Sequence, residues 1–203
     1  MKQFFKKRWY WIGTLCILVA VLVLFHVGYG KDPATDEPIL TVETPQKLSA
    51  SQTKEFLLDV TISALGDAFY PAMSMSLSFD SSRLEFLGVE EGNLFILSNE
   101  NSTGQQLPDW SCNVKNSNDT GMINIMYLDM TGGKKSFTKA LLADDHNVVL
   151  RLKFRLRGSV RPGDVLDLIV EDAVFAASDE TRSLAMTTDT LKVKNGRLVI
   201  GDS

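Results

Sequence analysis

Cysteine and histidine are scarce in this 203-residue chain, with two of each: Cys16 and Cys112, His26 and His146. Cys16 lies in the apolar N-terminal segment described below, so it cannot pair with Cys112 within one chain. That excludes a disulfide scaffold and a zinc–thiolate site, and Cys112 reads as a small core residue. Acids are missing from the first 30 residues, where Lys2, Lys6, Lys7 and Arg8 give a charge of +4. Basic blocks are missing from the rest, where 25 acids face 17 bases for a net −8. Phosphate affinity comes from Lys and Arg neutralisation, so nucleic acid is excluded as the default partner. Tryptophan is short too: beyond residue 30 there is only Trp110.

What the first 30 residues do have is a basic tail, residues 1–8, followed by residues 9–29 without Asp, Glu, Lys or Arg. At about 1.5 Å per residue, 21 helical residues span roughly the 30 Å hydrocarbon core. Trp9, Tyr10, Trp11 and Tyr29 suit the two interfaces, and the basic tail predicts a cytoplasmic N-terminus with the acidic body outside. The leading reading is a single-pass signal-anchor in the cell membrane. A cleaved signal peptide is the alternative, since Gly28 and Gly30 offer small residues for cleavage after Gly30, which would make the body secreted. His26 lies near the outer boundary and reads as an interfacial bystander. Residues 30–38 (GKDPATDEP) are polar and proline-bounded, hence a linker to a domain at 39–203.

That domain is written in short runs of period two. Met73-Ser74-Met75-Ser76-Leu77-Ser78-Phe79 sets Met, Met, Leu and Phe on one face and serine on the other. Similar runs occupy 39–43, 56–63, 84–89, 123–128, 148–157, 165–170, 173–176 and 197–200. Trp110, Cys112 and Val114 alternate with Ser111, Asn113 and Lys115, which predicts a strand through residue 115. Arg151, Lys153, Arg155 and Arg157 give one strand a cationic outer face. Turn signals separate the runs, among them Asn118–Gly121, Arg161-Pro162-Gly163-Asp164 and Lys194-Asn195-Gly196. Residues 136–143 (SFTKALLA) predict one short helix with Phe137, Leu141 and Leu142 inward. The class is all-β: a sandwich of about nine strands.

Catalytic signals are wanting. His146 is the body's lone histidine, and no Gly-x-Ser-x-Gly elbow or phosphate loop accompanies it. Adjacent carboxylates such as Asp144/Asp145 and Glu171/Asp172 read as solvated loop charge. Asp/Asn-rich loops match no twelve-residue calcium loop. Asn101 and Asn118 begin glycosylation sequons, a pattern that arises often by chance. The sequence thus predicts neither enzyme nor cofactor nor metal ligand. For direct polysaccharide binding the aromatic platform is thin. Trp110 falls on the apolar side of its strand, leaving Phe69 and Tyr70.

Three stretches resemble a cohesin module. The first is Leu77–Gly92 (LSFDSSRLEFLGVEEG): a strand ending in Phe-Asp, a tight turn, Leu-Glu-Phe-Leu-Gly-Val, and an acidic-Gly step. The second runs from Ile123–Asp129 through Thr131-Gly132-Gly133 and Phe137–Leu142 into Val148–Leu156. The third is Asp172–Ala176 with Gly196–Ile200. The stretches themselves lie between Leu77 and Ile200, and the order and spacing of the resemblance run through about 39–200. The resemblance implies a nine-stranded jelly-roll sandwich, non-catalytic, whose flat sheet binds dockerin modules and so attaches polysaccharide-degrading enzymes to scaffolds or cell surfaces. Calcium would belong to the dockerin, not to this chain.

Carried over by position, the resemblance puts the partner face on Ala72, Ser74 and Ser76 of one strand and Ser111, Asn113 and Lys115 of a second. A third strand contributes Asn124 and Met126, ending at Asp129 and the Gly132 loop. Alternation independently turns those strand side chains outward. A solvent-facing Met on a central strand marks an adaptable contact. Two other functions remain open: a carbohydrate-binding module of similar fold, and a structural envelope subunit that assembles through sheet edges.

Overall fold

The alternating runs pair into two sheets that share one core. The computed structural model describes residues 37–51, 55–95, 110–143, 145–158, 160–178 and 185–202. The basic tail, the apolar segment and the linker up to residue 36 lie outside the described residues, as do His26, Cys16 and Asn101. No helix among the described residues is long and apolar enough to cross a membrane.

Eleven strands are present among the described residues: β1 (Ile39–Val42), β2 (Leu48–Ser49), β3 (Phe56–Ile62), β4 (Ala72–Phe79), β5 (Leu84–Glu91), β6 (Trp110–Cys112), β7 (Met122–Leu128), β8 (Val148–Leu156), β9 (Val165–Ala176), β10 (Lys192–Lys194) and β11 (Gly196–Gly201). One sheet has the order β10-β1-β3-β8-β5, the other β2-β11-β9-β4-β7-β6. Pairing is antiparallel except for β1–β10 and β11–β2, which are parallel.

Period two places the core. Met73, Met75, Leu77 and Phe79 of β4 are buried, with its four outward positions half-buried between them. Across the interlayer, Phe79 of β4 meets Phe154 of β8 edge-on at 5.5 Å between ring centroids, and Phe86 of β5 meets the same ring at 5.5 Å. A second aromatic group gathers Phe95, Tyr127, Phe137 and Phe175, with Phe137 4.8 Å from Tyr127 and 5.3 Å from Phe175. Ring pairs at these spacings add to their area burial, so the first group ties the two sheets while the second packs the loop residues Phe95 and Phe137 onto the six-stranded sheet.

The expected count of about nine strands needs correcting to eleven, and the strand bounds differ from expectation in three places. Leu48–Ser49 and Lys192–Lys194 are strands of two and three residues, too short for any periodicity to register. The separate runs at 165–170 and 173–176 are one strand, β9. Its register against β4 slips between Ser76 and Leu77, so Glu171 and Asp172 are both exposed and the alternation is interrupted by a bulge, not by a turn. The strand predicted through residue 115 stops at Cys112 and gives way to a helix, α1 (Val114–Thr120). Asn113 caps it by accepting from the Asn116 N–H at 3.0 Å, and Gly121 ends it in the left-handed region at φ 71°. Both devices are ordinary helix punctuation, which the turn reading of Asn118–Gly121 had absorbed.

Residues 136–143 hold a single 3₁₀ turn, Lys139–Leu141, rather than a longer helix. Phe137 is fully buried as expected, whereas Leu141 and Leu142 are only half-buried. Arg161–Asp164 closes its turn through Gly163 at φ 90° and the Asp164 N–H donating to the Arg161 carbonyl at 3.0 Å. Asn195-Gly196 is no hairpin. There the chain crosses from β10 in one sheet to β11 in the other, and a Cβ on Gly196 would come within 2.8 Å of Val42 Cγ1.

Candidate partner-binding face

The outward face of β9, β4, β7 and β6 brings together most of the predicted positions. Register aligns Ala72 with Leu128, Ser74 with Met126 and Ser76 with Asn124, and sets Ser111 opposite Met126. Ala72, Ser74 and Ser76 are half-buried, and Ser111 and Asn124 are exposed. Met126, in the middle of β7, keeps 60% of its surface in solvent. Ser76 Oγ donates to Asn124 Oδ1 at 2.8 Å, and Ser78 Oγ donates to Glu171 Oε1 at 2.7 Å. Two serines of β4 are therefore engaged with its neighbours, Ser76 with β7 and Ser78 with β9. A shallow depression of about 760 Å³ lies over Ser74, Ser76, Ser111, Asn113, Asn124 and Met126.

Three predicted residues have other employment. Asn113 is the cap of α1, and Lys115 lies in its first turn, where the ammonium pairs with Asp119 at 2.7 Å. Neither is an outward strand residue, because the strand they were assigned to has already ended. Asp129 organises the loop after β7: its Oδ1 accepts from the Thr131 N–H at 2.8 Å and its Oδ2 from Ser136 Oγ at 2.8 Å and the Lys135 N–H at 3.2 Å. Burial pushes the Asp129 carboxyl up, but these bonds from Thr131, Ser136 and Lys135 outweigh it and hold its pKa below the ordinary value. Gly132, at φ 72°, and Gly133, at φ 93°, let that loop turn.

Behind the loop the residues are closely packed. The Tyr127 hydroxyl donates to the Lys135 carbonyl, and burial, then the charges of Asp129 and Glu91, push the Tyr127 pKa well up. Lys135 is 3% exposed and its ammonium lies 3.8 Å from Glu91 Oε1. Trp110 is half-buried, its ring 4.7 Å from Tyr127, with a buried Nε1–H that has no hydrogen-bond partner among the described residues. It is packed against the core, as its side of the strand predicted. Cys112 is half-buried against the same core, and burial raises its thiol pKa.

Leu128, turned outward by the same alternation but outside the predicted positions, is 47% exposed, and Met130 beyond it 75%. Val174 and Ala176 of β9 join them across β4, opposite Ser74 and Ala72. Their signal was present in the parity of residues 173–176, but the bulge at Glu171–Asp172 hid which side that parity faced.

The other expectations resolve as follows. Tyr70 is 1% exposed and belongs to the core, which leaves Phe69, 61% exposed, without an aromatic neighbour among the described residues for a sugar platform. The cationic side of β8 is not a free basic face. Arg151 pairs with Asp59 at 3.0 Å, Lys153 with Glu55 at 2.9 Å and Glu90 at 3.5 Å, and Arg155 with Glu55 at 3.0 Å and Glu85 at 3.4 Å. Asn118 is engaged on both sides of its amide by the backbone of Phe86. His146 Nδ1 lies 2.7 Å from the adjacent Asp145 carboxylate, in a turn closed by a bridge to Ala143. No group of three His, Cys, Asp or Glu side chains converges among the described residues.

No family model matches the chain, and no curated protein sequence matches it significantly. Solved structures do. A type I cohesin–dockerin complex containing the OlpA cohesin of Clostridium thermocellum aligns at TM-score 0.57 and 16% identity, over 81% of this chain and 99% of that one. The cohesin module from a family 33 glycoside hydrolase of Clostridium perfringens aligns at 0.56 and 9%, over 82% and 98%. The seventh ScaB type I cohesin from Pseudobacteroides cellulosolvens aligns at 0.53 and 14%, over 82% and 94%. The described sandwich is a cohesin-like fold.

Proposed function

We propose that this chain is a non-catalytic adaptor that uses the outward face of β9-β4-β7-β6 to bind a dockerin-type protein. The observation that carries this reading is the flat, half-polar face itself, bearing an exposed methionine at its centre on a cohesin-like sandwich. Several structures of similar fold are cohesins in complex with dockerins. Stable protein interfaces bury on the order of 800 Å² per partner, and roughly 600–800 Å² suits a face of this width. Polar positions such as Ser76 and Asn124 would set specificity, and Met126 would adapt to the partner. Calcium would enter on the partner's loops.

The basic tail and the uncharged segment 9–29 support export, with the body outside the cell and held to the membrane, or released by cleavage after Gly30. In that setting the adaptor attaches polysaccharide-degrading enzymes or other proteins at the cell surface. Polysaccharide contact by the module itself finds little support, since Trp110 and Tyr70 are both engaged in packing.

A pull-down with the full chain from the secreted and envelope fraction, first in calcium and then in chelator, tests the reading. Calcium-dependent capture of proteins with duplicated Asp/Asn-rich loops is the expected result. Retention on insoluble polysaccharide with no protein captured would replace it by the sugar-binding function.

A further inference from the structure

Lys135 lies in the loop after β7, yet only 4% of its side chain reaches solvent. Among the described residues its ammonium has one charge partner, Glu91 at the end of β5, with Nζ 3.8 Å from Oε1. That is beyond hydrogen-bond reach. Glu91 Oε1 is itself buried and has no hydrogen-bond partner among the described residues. A buried ion pair recovers the cost of its desolvation through close, well-aligned hydrogen bonds, and no such bond joins these two side chains.

We infer that Lys135 and Glu91 form a covalent cross-linking site, in which the two side chains condense to an Nζ–Cδ amide and release one water. The backbones that carry them are held on both sides. The Lys135 N–H donates to Asp129 Oδ2 at 3.2 Å and to Thr131 Oγ1 at 3.1 Å, and the Lys135 carbonyl accepts from the Tyr127 hydroxyl. Glu91 is paired with Leu150 of β8, and the chain beyond it is pressed onto that strand: a Cβ on Gly92 would come within 1.9 Å of the Val148 carbonyl oxygen. Asn93 then accepts from the Val148 N–H at 2.8 Å. Competing partners are already occupied. Asp129 is saturated by Thr131, Lys135 and Ser136, and Arg151 gives its guanidinium to Asp59 and to the Glu91 carbonyl rather than the carboxylate.

A small turn of either side chain brings Nζ to an attacking distance of roughly 3–3.5 Å from Cδ, and fixed neighbours of this kind react with high effective concentration. Burial favours the uncharged forms, so the ammonium passes a proton to the carboxylate, leaving an amine and a carboxylic acid. The Nζ lone pair then forms the bond to Cδ. The Cδ–OH bond breaks, and the hydroxyl departs with a second proton from Nζ as water. The product carries no charge, which removes the desolvation cost of the buried pair. The new bond runs from β5 in the five-stranded sheet to the loop that follows β7 in the six-stranded one. It closes residues 91–135 into a covalent loop and restricts the unfolded chain as a disulfide would, in a body whose described residues hold one free cysteine. This inference stands apart from the docking function.

Mass spectrometry of the unaltered full chain tests it. The protein is kept folded at neutral pH, denatured, weighed intact and digested with trypsin. The expected result is a mass one water below that of its sequence and a branched peptide joining Glu91 to Lys135, uncleaved after Lys135. Glu91→Ala and Lys135→Met should each restore the missing water and lose the branched peptide. Both variants should also migrate more slowly than the parent on a denaturing gel, because their unfolded chains are unclosed. The parent measurement decides the matter whether or not either variant folds. Full mass with Glu91 and Lys135 in separate linear peptides overturns the proposal, as does a water loss that persists in Lys135→Met or maps to another pair of residues.

Discussion

Asn118 binds both backbone groups of Phe86. Its Oδ1 accepts from the Phe86 N–H at 2.9 Å and its Nδ2 donates to the Phe86 carbonyl at 2.7 Å, while a further bond reaches the Val114 carbonyl at 3.0 Å. A side chain on α1 thereby supplies to the outer strand β5 the donor and acceptor that a neighbouring strand would have supplied. This closes one flank of the sandwich and gives the helix a structural task.

Asn118→Ala should therefore cost about 2–3 kcal/mol, because it leaves partly buried backbone groups of Phe86 unpaired. Asn118→Asp keeps the acceptor and loses both donated bonds, and should fall between. Urea unfolding at neutral pH measures both. An alanine variant as stable as the parent would show that solvent replaces the amide. The same engagement predicts an unmodified Asn118 in a glycosylating host, read by intact mass.

Trp110→Ala should cost about 3 kcal/mol, the usual range for emptying an aromatic site that is packed but not fully enclosed. Trp110→Phe should cost less than half as much, since it keeps the ring against Tyr127 and removes an Nε1–H that has no partner among the described residues. Equal losses would mean that the indole N–H is satisfied in solution.

Acid should weaken the fold through Asp129 and Glu55. Hydrogen bonds from Lys153 and then Arg155 lower the Glu55 pKa, as those from Thr131, Ser136 and Lys135 lower that of Asp129. A carboxylate with a folded pKa below its unfolded one stabilises fully above the unfolded value and stops doing so as pH falls through the folded value. Stability should thus be flat near neutrality and decline below about pH 4. Asp129→Asn should flatten more of that decline than Glu55→Gln, whose solvent-exposed pairing is screened. A denaturation midpoint unchanged between pH 6 and pH 3 would contradict the assignment.

On the binding face, Asn124→Asp combined with Met126→Ala should weaken partner capture by about tenfold or more while leaving the melting temperature unchanged. Calorimetry of the captured partner against both chains measures it. Unaltered affinity would take this face out of the argument.

Core positions such as Met73, Met75, Leu77, Ile123 and Ile125 were readable because period two needs no knowledge of what pairs with what. The outward set was readable for the same reason, from Ser74 through Met126. What could not be read were the places where two rules compete. Val114-Lys115 continues an alternation, but the cap at Asn113 and the stop at Gly121 win, so Lys115 leaves the predicted face and Asn113 stays at its margin as the helix cap. Asp129 looked like a contact residue, because nothing local reveals that Thr131, Lys135 and Ser136 fold back on it. The bulge at Glu171–Asp172 reads as a break, since adjacent exposed residues on one strand mimic a turn. The buried Lys135 carries no sequence signal at all.

The first strand sits inside its sheet rather than at the rim, hydrogen-bonded to β3 on one side and to β10 on the other. Its entry is clamped as well: the Lys192 N–H donates to the Pro38 carbonyl at 3.0 Å and the Lys192 ammonium reaches Glu37 at 2.7 Å. Tension applied through residues 37 and 38 thus falls on two ladders at once, and β10, near the other end of the described chain, holds the first strand. A module tethered by its N-terminal side would bear load as a unit, with failure requiring both ladders to part together rather than one strand to peel away.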